Sequence, residues 1–168
     1  VMHINLSFVQ IVKSNIVKDV LENIERYSAA NNHYVFEITE TIEMDQIPAV
    51  QNVFKEFVKN DFRFAIDDFG TGYSNYGYMR DRTFDIVKVD RSFVTDIDKL
   101  KDNYLMVSFI IKMAHEMGLH VCIEGVETKE ELSCVKRLGA DYIQGYYYGK
   151  PVCLQDFEEQ HLKRFVLG

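Results

Sequence analysis

Six short apolar segments recur along the chain, each closing on a polar residue, with helical periodicity between them. They are residues 1–7, 34–39, 62–66 running into Asp67-Asp68, 85–90, 119–124 and 141–144. After the first, Phe8, Ile11, Val12, Ile16, Val20, Leu21 and Ile24 recur at helical spacing and predict one helix. Asn31-Asn32 reads as a turn. A second helix carries Ile47, Val50, Val53, Phe54 and Phe57 on one face, with Pro48 tolerated in its first turn. An amphipathic piece over 76–82, a helix over 101–117 closed by Gly118, a helix over 129–138 ended by Gly139, and a terminal helix from about Leu154 complete the pattern. Apolar strands alternating with helices imply an α/β domain, a parallel sheet covered by helices. No linker interrupts the alternation, and 168 residues suffice for one domain with its own core.

The polar residues that close the strands are Asn5, Glu37, Asp67, Lys88, Glu124 and Gln144. In parallel α/β folds the carboxyl ends of the strands form the ligand face, so all six are delivered to one rim. Period-two alternation puts Lys88 on a face with Asp90, and Cys122 on a face with Glu124. Asp67 and Asp68 stand together at the mouth of a buried strand, where they repel each other and lose solvation. A divalent cation with oxygen ligands relieves that conflict; the alternative is a turn of surface acids. Gly70 and Gly72 let the backbone turn sharply and approach a ligand. Gly70-Thr71-Gly72 lacks the third glycine of a dinucleotide fingerprint, which favours a barrel over a doubly wound open sheet.

Composition narrows the function. An apolar fraction of 47% with 27% charged residues is that of a soluble globular protein, and no apolar run reaches membrane-spanning length. A net charge of −7 argues against DNA or RNA as partner, yet admits a phosphorylated small molecule where bound metal reverses the local sign. Cys122, Cys134 and Cys153 lack ligand spacing and cannot all pair, which suits a reducing, cytoplasmic setting.

The ordered motifs Asn5-Leu6-Ser7, Glu37-Ile38-Thr39-Glu40, Asp67-Asp68-Phe69-Gly70-Thr71-Gly72-Tyr73-Ser74, Lys88-Val89-Asp90, Glu124-Gly125-Val126-Glu127-Thr128 and Gln144-Gly145-Tyr146 resemble those of the EAL domain family. Its members are bacterial phosphodiesterases that open cyclic di-GMP to linear pGpG. The resemblance runs from Asn5 through Pro151. It implies a modified TIM-type (β/α)8 barrel, here truncated to about six strands, with two divalent cations, Mg²⁺ or Mn²⁺, at the carboxyl rim and Ca²⁺ as an inhibitor. By motif, Asn5, Glu37 and Asp67 resemble ligands of the first metal and Asp68 a bridging or second-metal ligand. Glu124 also resembles a metal ligand, Lys88 a residue that holds and polarises the attacking water, and Gln144 one that orients the water or metal shell. Glu40 and the 69–75 loop (Phe69, Gly70, Thr71, Gly72, Tyr73 and Ser74 within it) resemble the pair that shapes the second metal site and a homodimer contact. Tyr146 and Pro151 are candidates for contact with the nucleotide.

Plainer readings stand beside these. Asn5 alone could satisfy backbone at a strand end, and Lys88 could simply pair with Asp90. His115 and His120 imitate a zinc helix motif but lie five apart, split by Gly118, and share no helical face. Tyr146-Tyr147-Tyr148 either stacks a guanine or packs as rim aromatics. The chain also departs from the family. The Glu-Ala-Leu motif and its following arginine are absent from residues 1–168, Asn75-Tyr76 replaces serine and leucine, and Tyr148 replaces phenylalanine. The first segment opens without cap or polar lead, so residues 1–168 are expected to be an EAL domain incomplete at its amino end. A parent protein with an upstream sensor or cyclase domain, or a membrane anchor, is compatible with this. The fragment alone is expected to bind metal poorly and to hydrolyse little. A non-catalytic cyclic di-GMP receptor is the alternative function.

Overall fold

The computed structural model describes residues 2–13, 15–26, 31–39, 48–71 and 83–159. In chain order they form β1 (Met2–Asn5), α1 (Phe8–Lys13), α2 (Ile16–Arg26), β2 (Tyr34–Thr39), α3 (Pro48–Lys59), β3 (Arg63–Phe69), β4 (Ile86–Val89), α4 (Lys101–Glu116), β5 (His120–Ile123), α5 (Lys129–Leu138), β6 (Tyr142–Ile143) and α6 (Leu154–Phe157). All six strands pair in parallel and in chain order, with β1 and β6 at the two edges, and the sheet curls into a half-barrel. The expected α/β architecture and the six strands are thus present.

Register divides the sheet into two faces. Phe36 pairs with Phe64, Ile38 with Ile66, Ile66 with Val87 and Val89 with Ile123, and all of these side chains join the large core beneath the helices. Phe36 and Phe64 meet Phe57 of α3 at ring-centroid distances of 4.8 and 5.7 Å, while Phe54 packs edge-on against Phe64 at 4.7 Å. The opposite face begins as a small apolar layer of Val35, Ala65, Ile86 and Cys122. Two residues further along each of these strands the same face becomes ionic, because strand side chains alternate with period two.

Local structure departs from the sequence expectations in three places. The single helix expected over residues 8–24 is two, because the Asn15 carbonyl starts α2 by accepting from Asp19 N–H at 3.0 Å, and asparagine favours such a cap over a helix interior. β6 is two residues rather than four. A 3₁₀ turn over Arg91–Phe93, capped by Asp90 accepting from Ser92 N–H at 2.9 Å, follows β4. Asp90 is therefore a cap, and the ion pairs formed by Lys88 lie elsewhere. The piece expected over 76–82 lies outside the described residues. α5 ends at Gly139 as expected, in the left-handed conformation.

His115 and His120 share no helical face, but the fold brings both to Asp141. His115 Nε2 lies 2.8 Å and His120 Nδ1 3.5 Å from its carboxylate, which also accepts from Val121 N–H at 2.7 Å. Burial pushes the Asp141 carboxyl up, but the hydrogen bonds from His115 and Val121 outweigh it and hold the group below the usual 3.8. A depressed acid contributes stability above its unfolded value and loses it as pH falls through the lower folded value. Asp141→Asn is therefore expected to flatten the acid limb of a plot of Tm against pH, in the range below about 4. Parallel acid limbs in mutant and wild type would refute this.

Candidate active site

At the ionic layer one ammonium group meets three carboxylates. Lys88 Nζ lies 2.7 Å from Glu37 Oε1, 2.7 Å from Asp67 Oδ1 and 2.8 Å from Glu124 Oε1. The lysine is 3% exposed and Glu37 7%, whereas Asp67 and Glu124 are 14% and 16% exposed, so the cluster opens towards the rim. β4 lies between β3 and β5, and its Lys88 stands beside Cys122 in register, next to the strand that Glu124 follows. Burial disfavours the ammonium, but the hydrogen bonds to Asp67, Glu124 and Glu37 outweigh it and push the lysine above its usual range. It remains a cation at every physiological pH. Burial likewise pushes Glu37 up, yet hydrogen bonds from His3 and Lys88 leave it below the ordinary value. Glu124 ends above it, because burial exceeds the help from Lys88.

Adjacent residues of a regular strand point to opposite faces, so Asp67 and Asp68 should not serve one site. The backbone resolves this with an irregularity. Ile66 pairs with Val87 but Phe69 with Val89, one extra residue lies between them, and Asp68 takes a left-handed φ of 53°. Both carboxylates then reach the rim, and Asp67, Asp68 and Glu124 each offer an oxygen within 4.8 Å of the others. Burial, and repulsion from Asp67 and Asp90, push Asp68 above its usual value. A carboxylate held in that environment gains from a cation. Gly70 follows with φ 98°, and a Cβ there would meet the Phe93 ring at 2.8 Å, so Gly70 packs tightly against the turn after β4.

The other expected site residues are placed as follows. Asn5 ends β1 in register with Glu37, on the face of the cluster. Gln144 follows β6, donates its N–H to Ile123 O at 2.8 Å and accepts from Val126 N–H at 3.2 Å, which seats it beside the strand that precedes Glu124. A Cβ at Gly145 would overlap the Val126 backbone, so only glycine allows this approach. Tyr146 is exposed with Lys150 Nζ 5.5 Å from its ring centroid, Tyr147 and Tyr148 stack edge-on at 5.5 Å, and Pro151 is exposed. Phe69 is buried in the core, and the Thr71 hydroxyl donates to Asp68 O at 2.9 Å. Glu40, Gly72, Tyr73 and Ser74 lie outside the described residues. Two contacts were missed from sequence. His3 donates through Nδ1 to Glu37 Oε1 at 2.7 Å, which only the β1–β2 register reveals. Glu131 ties together the loops after β4 and β5, and its signal was the Thr-x-x-Glu spacing of Thr128 and Glu131.

Four carboxylates (Glu37, Asp67, Asp68 and Glu124) against one ammonium leave three formal negative charges on a concave rim. All the donors are hard oxygens, which fits Mg²⁺ or Mn²⁺ and not a soft metal.

Comparison with known proteins identifies the family. The family model of the EAL domain matches residues 1–151. The chain is 33% identical over 153 residues to the probable cyclic di-GMP phosphodiesterase PdeA of Escherichia coli K12, covering 91% of this chain and 21% of that protein. The EAL enzyme Bd1971, solved with cAMP and cyclic di-GMP bound, superposes with a TM-score of 0.87 at 34% identity, covering 94% of this chain and 42% of that one. Klebsiella pneumoniae BlrP1, solved with manganese and cyclic di-GMP, gives a TM-score of 0.78 at 25% identity, with 88% and 38% covered. The chain spans about a fifth of the length of the first curated relatives it matches.

Proposed function

The chain belongs to the EAL domain family, and from that premise we propose that its ionic rim serves the metal-dependent hydrolysis of cyclic di-GMP to linear pGpG. The observation that carries the reading is the single buried ammonium of Lys88 shared by Glu37, Asp67 and Glu124, with Asp68 bulged in beside them. Asn5, Glu37, Asp67, Asp68 and Glu124 would hold two divalent cations, Mg²⁺ or Mn²⁺. Bound there, the pair supplies charge neutralisation on the phosphodiester and a water made nucleophilic at neutral pH.

The chain's own groups do the rest. All three donors of the Lys88 ammonium are taken by Glu37, Asp67 and Glu124, so Lys88 would turn one N–H to the attacking water once a carboxylate partner is shared with a bound cation. The two carboxylates that remain keep the ammonium beside that water. Gln144, seated against Ile123 and Val126 by its backbone, presents an amide that orients the water or its surroundings. Tyr146 and Pro151, exposed beyond it, offer surface to a guanine. The same reading takes a homodimer as the working state, with the 69–75 loop and Glu40 coupling the sites. Leu105, Met106 and Phe109 on α4 are exposed apolar residues available to such contacts. An upstream sensor or cyclase domain and a cytoplasmic site of action belong to the proposal; among the described residues no helix is long and apolar enough to cross a membrane.

Residues 1–168 contain no Glu-Ala-Leu sequence, so these residues alone are expected to bind metal poorly and turn over little. The test is hydrolysis of cyclic di-GMP by the EAL domain that contains them. Turnover is expected with Mg²⁺ or Mn²⁺, inhibition with the larger Ca²⁺, and none after thorough chelation. Hydrolysis that survives chelation would overturn the metal-dependent reading. Tight binding without hydrolysis in either metal would favour the receptor alternative.

A further inference from the structure

Two of the site's charges stand on β4 and directly after the neighbouring β5, and a side chain outside the site joins the loops that follow these strands. Glu131, in the first turn of α5, is 6% exposed and uses both oxygens. Oε1 accepts from Asp96 N–H at 3.1 Å, in the segment after β4. Oε2 accepts from Glu127 N–H at 2.9 Å and Thr128 N–H at 3.0 Å, in the segment after β5. Lys88 lies in β4 just before the first segment, and Glu124 lies just before the second.

The neighbourhood reinforces the joint. Val94 and Ile97 on one side and Val126 on the other are buried apolar anchors. Asn103 Nδ2 donates to Thr95 O at 3.0 Å, Glu124 N–H donates to Val89 O at 3.2 Å, and Arg91 pairs with Glu127 across the surface at 2.9 Å. That last pair is more than a third exposed on both sides and adds little. A buried carboxylate with three backbone donors is the strong member, since each donor left unpaired in a dry site carries a desolvation penalty. An α5 capping box alone needs Thr128 and Glu131, both local; the Asp96 bond reaches 35 residues back and caps nothing.

We infer that Glu131 is a positioning residue for the proposed reaction: its carboxylate latches the loop after β4 to the loop after β5 and so fixes Lys88 against Glu124. The inference rests on the phosphodiesterase reading for its consequence and on geometry alone for the latch. Residues that only orient the reacting groups commonly contribute about 10–100-fold to metal affinity or turnover.

Two variants separate the latch from the cap. Thr128→Val removes the hydroxyl that accepts from Glu131 N–H but leaves all three bonds to the carboxylate. Glu131→Ala removes the carboxylate. Both are expected to lower Tm. In the EAL domain, Glu131→Ala is expected to lower kcat by about tenfold or more with little change in KM, whereas Thr128→Val stays within about twofold of wild type. Amide exchange, read on the same proteins, is expected to show Asp96, Glu127 and Thr128 protected in wild type and in Thr128→Val. In Glu131→Ala those amides and Glu124 exchange faster. Equal kcat losses in the two variants, or free exchange at Asp96 in the folded wild type, would overturn the inference; the latter measurement needs no variant. If wild type hydrolyses no cyclic di-GMP in either metal, the phosphodiesterase reading fails, and the exchange data still decide whether the latch exists.

Discussion

Glu124→Gln or Asp67→Asn in the EAL domain is expected to lower turnover of cyclic di-GMP at least about a hundredfold and to leave the fold intact; loss of groups that merely support a metal site already costs about 10–100-fold. Each change removes one charge and keeps shape and an oxygen acceptor. Glu124 Oε1 and Asp67 Oδ1 accept from Lys88 at 2.8 and 2.7 Å, and an amide oxygen can take over either bond. What disappears is negative charge from the group of Asp67, Asp68 and Glu124 that faces the rim. Tm near that of wild type with turnover lost is the expected pair of results. Turnover near normal in either variant would show that these carboxylates do not serve the reaction.

Lys88→Met is expected to abolish turnover and also to destabilise the fold, by about 3–5 kcal/mol, the typical consequence of removing one member of a buried ionic group. Methionine fills the volume, but Glu37, Asp67 and Glu124 are left facing each other without a counter-charge. The sign with pH is fixed by the direction of the shift. Lys88 is raised, so its contribution is complete below the ordinary lysine range and fades only as pH rises through the higher folded value. The stability gap between variant and wild type should therefore be wide at neutral pH. It should narrow in acid, where the protonated carboxylates need no counter-charge. Added Mn²⁺ should raise Tm more in the variant than in wild type, because a cation then takes over the vacated role. Thermal unfolding across pH, with and without Mn²⁺, measures both effects. A constant gap from neutral to acid pH would show that the carboxylates do not depend on Lys88.

The sequence by itself determined the architecture. Apolar strands such as 34–39 and 85–90 can be covered only by helices, and the intervening stripes, with Gly118 and Gly139 as stops, could be little else. It also named four of the charged residues that the fold brings together. Glu37, Asp67, Lys88 and Glu124 are each a charged residue at or near the carboxyl end of an apolar strand, and parallel pairing sends such residues to one rim. Tertiary structure decided the rest. Lys88 pairs with Glu37, Asp67 and Glu124 and not with Asp90, because the reach of an ammonium across three strands depends on register and curl, while Asp90 is drawn away to cap a 3₁₀ turn. The one-residue irregularity that brings Asp68 round to the side of Asp67 is a mismatch between β3 and β4, and neither strand encodes it alone. His3 on Glu37 and Glu131 on Asp96 are likewise contacts between segments 34 and 35 residues apart. Local pattern fixes which face a side chain occupies. Which distant partner it meets there depends on strand pairing, which is a property of two strands and not of either one.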